Sequence, residues 1–154
     1  GDGWSNEKLN RAFQELRAGA KLVACQRNRF WRAGGEDIID AGAYVAALEF
    51  AAQIQAELIG KPTVAFFQAA TGGNDPSVLR RALIVGDDLS SDIAGAAAAG
   101  CASVLVRTGK FQAHDLERAQ HKPTWTIDSV ADLPDLIDQL SRASFANDRP
   151  RVDG

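Results

Sequence analysis

The chain has 154 residues, 45% of them hydrophobic and 24% charged, enough for one compact unit or one unit with a small lobe. Its net charge of −3 and scattered basic residues exclude an extended nucleic-acid face, because phosphate binding needs clustered positive charge. No apolar run approaches the roughly 20 residues that span a bilayer, and no signal-peptide pattern is visible. A cytoplasmic protein with no membrane partner is therefore expected.

In chain order, Leu9, Ala12, Phe13 and Leu16 fall three and four apart and predict a short, half-buried helix. Ser5 is placed to cap it, Trp4 to staple onto Leu9, and Gly19 to supply its left-handed end. Residues 21–25 read as a buried strand, and the polar, glycine-containing stretch 26–40 reads as a loop holding Phe30 and Trp31. A helix over 43–53 carries Val45, Leu48 and Ala52 on one face. A short strand at 56–59 breaks at Gly60, Lys61 and Pro62, and a helix follows over 63–70 with Pro62 suited to its first turn. Cys25 and Cys101 each lie in an apolar stretch and read as buried free thiols in a reducing compartment.

From there the pattern alternates: strands at 82–85, 102–106 and 124–127, and helices at 90–99, 113–120 and 133–140. The fold class is α/β, with parallel pairing and right-handed crossovers. Counting residues 56–59, only about four strands are expected, which reads as half of an open sheet. Residues 144–154 are polar, lack periodicity and read as a mobile tail.

The sharpest chemical feature is Gly86-Asp87-Asp88-Leu89-Ser90-Ser91-Asp92, at the carboxyl end of an apolar strand and leading into a helix. Open α/β sheets bind ligands at that edge. Three carboxylates within six residues repel one another, and a hard cation such as Mg²⁺ relieves the repulsion while keeping several waters. The competing reading is a helix capped by Asp87 and Ser90 with the remaining acids solvated. Lys61, also between a strand and a helix, can neutralise a bound phosphate; alone it would read as a surface lysine. His114 and His121 have no partner at ligand spacing and read as surface residues.

Gly-Lys-Pro at 60–62, followed about 25 residues later by Gly-Asp-Asp-x-x-x-Asp at 86–92, resembles two motifs of the haloacid dehalogenase (HAD) superfamily. Leu9-Asn10-Arg11-Ala12-Phe13, Asp40-Ala41-Gly42, Phe66-Phe67 and Leu105-Val106-Arg107-Thr108-Gly109-Lys110 are similar to its NagD-like branch, subfamily IIA. The similarity runs from about Ser5 to Leu140.

The resemblance implies a Mg²⁺-dependent hydrolase of small phosphorylated compounds that works through an aspartyl-phosphate. It gives Lys61 and Asp92 catalytic roles, with Lys61 also binding substrate. Asp87 and Asp92 become the metal residues, and Asp88 falls at a variable position. It implies a partial Rossmann-like parallel sheet at 56–143, preceded at 1–55 by the later part of an α/β cap. Arg29, Trp31 and Arg32 of that cap would contact the leaving group, or else sit in an exposed loop. The resemblance admits a homodimer through the cap and leaves the oligomeric state open.

One departure is large. No Asp-x-Asp-Gly stretch follows an apolar strand, and Gly1-Asp2-Gly3 has no strand before it, so Asp2 is not expected to be the nucleophile. The chain is read as the later part of a longer enzyme, inactive alone. The alternatives are a non-catalytic partner that completes a site in another chain and a phosphoacceptor receiver module. Receiver modules carry their Lys after their acids, the reverse of the order found here.

Overall fold

The computed structural model describes the backbone of residues 3–147. Helix α1 spans Asn6–Arg17 and is capped as expected, with Ser5 Oγ accepting the Lys8 N–H at 3.3 Å. Beyond its end, Gly19 takes φ 100°, Gly19 N–H returns to Leu16 O and Ala20 N–H to Glu15 O. That pair of bonds closes a Schellman end, which favours glycine at the left-handed position. Trp4 reaches beyond its own helix: its ring stacks on Tyr44 with centroids 4.6 Å apart, which joins α1 to helix α2, Ala41–Ala52.

Strand β1 is short, Val23–Ala24, and pairs in parallel with β4, Glu57–Leu58. Side chains alternate along a strand. Ala24 turns inward, so Val23 and Cys25 turn outward; Cys25 is exposed, not buried as expected, while Cys101 is buried.

The stretch read as a loop is a hairpin. β2, Phe30–Ala33, pairs antiparallel with β3, Glu36–Ile39, around Gly34 and Gly35 at φ 58° and 85°. Two consecutive positive φ angles make the turn that matches strand twist, and two glycines adopt it without strain. Asp40 then caps α2, its Oδ1 accepting the Ala41 N–H at 2.7 Å.

After β4, Thr63 caps α3, Val64–Ala70, so Pro62 precedes the helix instead of entering its first turn. A short helix α4, Pro76–Leu79, was not foreseen; Asp75 caps it and Pro76 fills its first position. Strands β5 (Leu83–Gly86), β6 (Ala102–Val106) and β7 (Trp125–Ile127) form a three-stranded parallel sheet in that order. Because β4 pairs with β1, this sheet has three strands and not four. Central β6 is buried, with Val104 and Leu105 fully so, whereas edge strand β5 is half-buried despite its continuous apolar run.

Between β5 and β6, a five-residue π-helical stretch, Leu89–Ile93, runs into α5, Ala94–Ala99. Gly100 at φ 78° stops α5. Phe67, Leu79, Ala96, Ala99 and Cys101 form the core between α3, α4 and α5. Phe67 is 2% exposed, and burying it stabilises the fold by about 2–3 kcal/mol. Its ring lies where a Gly95 side chain would be: a Cβ there would come 2.7 Å from Cζ.

Helix α6, Ala113–Arg118, connects β6 to β7. Helix α7, Leu133–Asn147, runs beyond the predicted end at residue 140 and through the start of the predicted tail; residues 148–154 lie outside the described residues. Among the described residues, no helix is long and apolar enough to cross a membrane.

Candidate active site

β5 and β6 are parallel neighbours, so their carboxyl ends share one rim. Asp87 and Asp88 follow β5 there, and the turn from Arg107 to Lys110 follows β6. Lys61 arrives from the turn after β4. Gly60 lets that turn press on β1, since a Cβ at residue 60 would stand 2.8 Å from the Cys25 carbonyl carbon.

The separation between Lys61 and Asp92 in sequence is closed in space. Lys61 Nζ donates to Asp92 Oδ1 at 2.7 Å, and the Asp88 N–H donates to Asp92 Oδ2 at 3.2 Å. Asp92 is 6% exposed, and a carboxylate so buried needs such partners. Gly86 provides its seat, because a Cβ there would lie 2.5 Å from Asp92 Cβ and closer still to its carboxylate.

Asp88, and not Asp87, caps the π-helical stretch. Its Oδ1 accepts the Ser90 N–H at 2.9 Å, the Ser90 hydroxyl at 2.6 Å and the Ser91 N–H at 3.1 Å. Its Oδ2 accepts Lys110 Nζ at 2.9 Å. Burial alone would raise the Asp88 pKa, but the Ser90 and Lys110 hydrogen bonds and the lysine charge outweigh it and hold the carboxyl at about 2.

Asp87 Oδ2 accepts the main-chain N–H of Lys110 at 2.8 Å, which leaves Oδ1 without a hydrogen-bond partner among the described residues. Gly109, at φ 60°, lets the β6 turn close on this carboxylate; a Cβ would stand 2.9 Å from Asp87 Cγ. The Ser91 hydroxyl is buried with no partner among the described residues.

The rim thus holds three carboxylates and two ammonium groups. Lys61 and Lys110 offset Asp92 and Asp88, so the chain itself relieves most of the expected repulsion. One negative charge is left, on Asp87. Among the described residues no three His, Cys, Asp or Glu side chains are grouped to hold a metal. Were Mg²⁺ to bind here, the open Asp87 Oδ1 is the oxygen that could ligate it directly. One such ligand suits an ion that binds through one or two carboxylates and keeps its waters.

A cleft of about 410 Å³ opens beside the acids, lined on the hairpin side by Arg29 and Phe30 and on the α6 side by Phe111, Arg118 and His121. Of the predicted leaving-group residues, only Arg29 reaches it. Arg32 sits three residues nearer the turn and pairs across the hairpin with Asp37 at 2.8 Å. Trp31 alternates to the other face, opposite Ile38. Phe30 and Lys110 were missed as site residues. The glycine pair at 34–35 was the signal for the hairpin that aims Phe30, whereas the partners of Lys110 are separated from it by more than 20 residues. His121 is exposed as expected but lines the cleft; exposed His114 faces Asp115 at 3.2 Å.

The HAD-hydrolase-like family model matches residues 58–133, from β4 through the acidic rim to the start of α7. The chain belongs to the haloacid dehalogenase superfamily, in its NagD-like subfamily IIA. It is 33% identical over 139 residues to phospholysine phosphohistidine inorganic pyrophosphate phosphatase of Rattus norvegicus, covering 89% of this chain and 51% of the relative. It is 34% identical over 134 residues to human haloacid dehalogenase-like hydrolase domain-containing protein 2, covering 86% and 49%. Among solved structures, 4-nitrophenylphosphatase of Thermotoga maritima superposes with a TM-score of 0.74 at 28% identity, covering 85% of this chain and 50% of that one. Glycerol phosphate phosphatase of Mycobacterium tuberculosis, solved with magnesium, gives 0.69 at 33% identity, covering 85% and 39%. The chain spans about half the length of the curated relatives it matches. These neighbours share the α/β HAD fold.

Proposed function

We propose that this chain forms the lysine- and metal-bearing part of a Mg²⁺-dependent phosphatase, which hydrolyses a small phosphorylated compound through an aspartyl-phosphate. The observation that carries this reading is the 2.7 Å contact between Lys61 and buried Asp92, beside an Asp87 carboxylate with one open oxygen. Phosphoryl transfer depends mainly on positioning and on neutralising charge at the transferred oxygens. Lys61, 41% exposed, can present its remaining N–H donors to a phosphoryl oxygen while Asp92 fixes its direction. Asp87 directs the metal, which when bound would polarise the phosphoryl group. Asp92 supports both. Arg29 and Phe30 select the leaving group from the hairpin side of the cleft.

Since none of these residues is a strand-borne Asp-x-Asp-Gly nucleophile, the attacking aspartate is proposed to come from polypeptide beyond these 154 residues. That polypeptide belongs either to the same protein or to another chain whose site this one completes. Intact mass of the native protein distinguishes the two sources. Hydrolysis of p-nitrophenyl phosphate with and without Mg²⁺ tests the chemistry. A longer native chain with Mg²⁺-dependent turnover, lost in Asp87→Asn, is the expected result. Full turnover by Asp87→Asn would sink the reading.

A further inference from the structure

Lys110 makes three contacts that the roles above leave unused. Its main-chain N–H donates to Asp87 Oδ2 at 2.8 Å, and its ammonium donates to Asp88 Oδ2 at 2.9 Å. The same ammonium lies 5.7 Å from the centroid of the Phe30 ring on the hairpin. Exposed ion pairs contribute little because water competes for both partners. This pair is sheltered, with side chains 18% and 13% exposed, and the aromatic face adds a favourable contact on the hairpin side. The other Asp88 oxygen is occupied by Ser90 and Ser91. Asp88 is thereby turned inward and neutralised, while the adjacent Asp87 keeps one oxygen open.

We propose that Lys110 is a positioning residue for the cation site: its ammonium removes Asp88 from competition for the metal, and its main chain aims Asp87 at it. This rests on the reading of Asp87 as the metal-directing carboxylate. The reasoning is electrostatic. Without the ammonium, Asp88 Oδ2 becomes a bare carboxylate oxygen next to Asp87, and a divalent cation gains a second anionic neighbour. With Asp88 neutral and Lys110 retained, the cation meets an unpaired ammonium instead. A unit charge acting on a divalent ion across several ångströms of partly screened medium changes affinity by about tenfold or more. The two single substitutions therefore push in opposite directions. A merely structural ion pair would weaken the site in both.

The test uses the full chain and Mn²⁺ as a paramagnetic stand-in for Mg²⁺, with free ion read by electron paramagnetic resonance. Lys110→Met should bind Mn²⁺ about tenfold more tightly than the parent and Asp88→Asn about tenfold more weakly, with the double variant back within about threefold. Lys110→Gln serves as the neutral variant if Met impairs folding. Binding by Lys110→Met where the parent shows none also supports the proposal. Equal affinities throughout, weaker binding by both neutral variants at Lys110, or no binding by any of them overturns it. Asp87→Asn reads the underlying assignment separately: unchanged Mn²⁺ affinity there refutes the metal role of Asp87 whatever the Lys110 variants do.

Discussion

Replacing Gly86 by alanine tests how Asp92 is seated. The new Cβ would stand 2.5 Å from Asp92 Cβ, against the 3.4 Å at which ordinary contact begins, a shortfall of 3.4 − 2.5 = 0.9 Å. Because the clash reaches the Cβ as well as the carboxylate, a rotamer change does not relieve it, and β5 must part from the π-helical stretch. Overpacking of this size costs about 1–3 kcal/mol. For a chain of this length, each kcal/mol lowers the melting temperature by about 2–4 °C, so a fall of about 2–12 °C is expected. The displacement should also break the 2.7 Å contact with Lys61 and reduce Mn²⁺ affinity. Gly95→Ala is the control. Its Cβ would come 2.7 Å from Phe67 Cζ and 3.1 Å from Pro62 Cα, which strains the core while leaving the carboxylates in place. Thermal unfolding followed by circular dichroism, with Mn²⁺ titration of both variants, separates the two effects. A Gly86→Ala protein that melts with the parent, or that loses stability but no more cation affinity than Gly95→Ala, refutes the reasoning.

Three further outcomes follow from the same geometry. Lys61→Met should destabilise the fold by about 1–3 kcal/mol, because it strands buried Asp92, whereas Asp92→Asn should cost about 1 kcal/mol, because 41%-exposed Lys61 can hydrate. Urea midpoints that reverse this order would count against a buried Asp92 charge. Asp88, held at about 2 against an ordinary 3.8, contributes stability that is present above pH 4 and lost as pH falls toward 2. The effect is about 2 kcal/mol, so Asp88→Asn should show a shallower loss of urea stability across that window; an unchanged slope refutes the assignment. Exposed Cys25 should react quickly with a disulfide reagent, while Cys101, whose thiol burial pushes upward, should react only on unfolding. Two equally fast thiols would contradict that placement.

What the sequence conveyed about the fold was its local signals. Ser5, Gly19 and Gly100 act within a few residues of themselves, and the helix ends they mark were readable. Cys25 was misread because an apolar run does not say how many neighbours its strand has; β1 has β4 on one side and alternates with one face outward. The long-range contact of Trp4 was out of reach for a related reason. Its stacking partner, Tyr44, lies 40 residues away on another helix, and no pattern near residue 4 points to it. The hairpin was readable in principle from its two glycines, but its strands, Phe-Trp-Arg-Ala and Glu-Asp-Ile-Ile, lack the apolar alternation that normally reveals a half-buried pair.

The site divides along the same line. The motif spacing linked Lys61 to Asp92, and their side chains do meet at 2.7 Å, although β4, which precedes Lys61, pairs with β1 and not with the strand before the acids. The acidic run was also taken to demand a cation, and there the structure changes the account. A cluster of carboxylates in sequence does not fix its own net charge; the fold does, by bringing in a lysine from the next strand's turn. Lys110 is 22 residues from Asp88, and its ammonium halves what counting acids and Lys61 alone would leave, from two negative charges to one. The remaining charge lies on Asp87, the carboxylate with an open oxygen, so the net charge this rim offers is decided by the turn after β6 and not by the acidic motif itself.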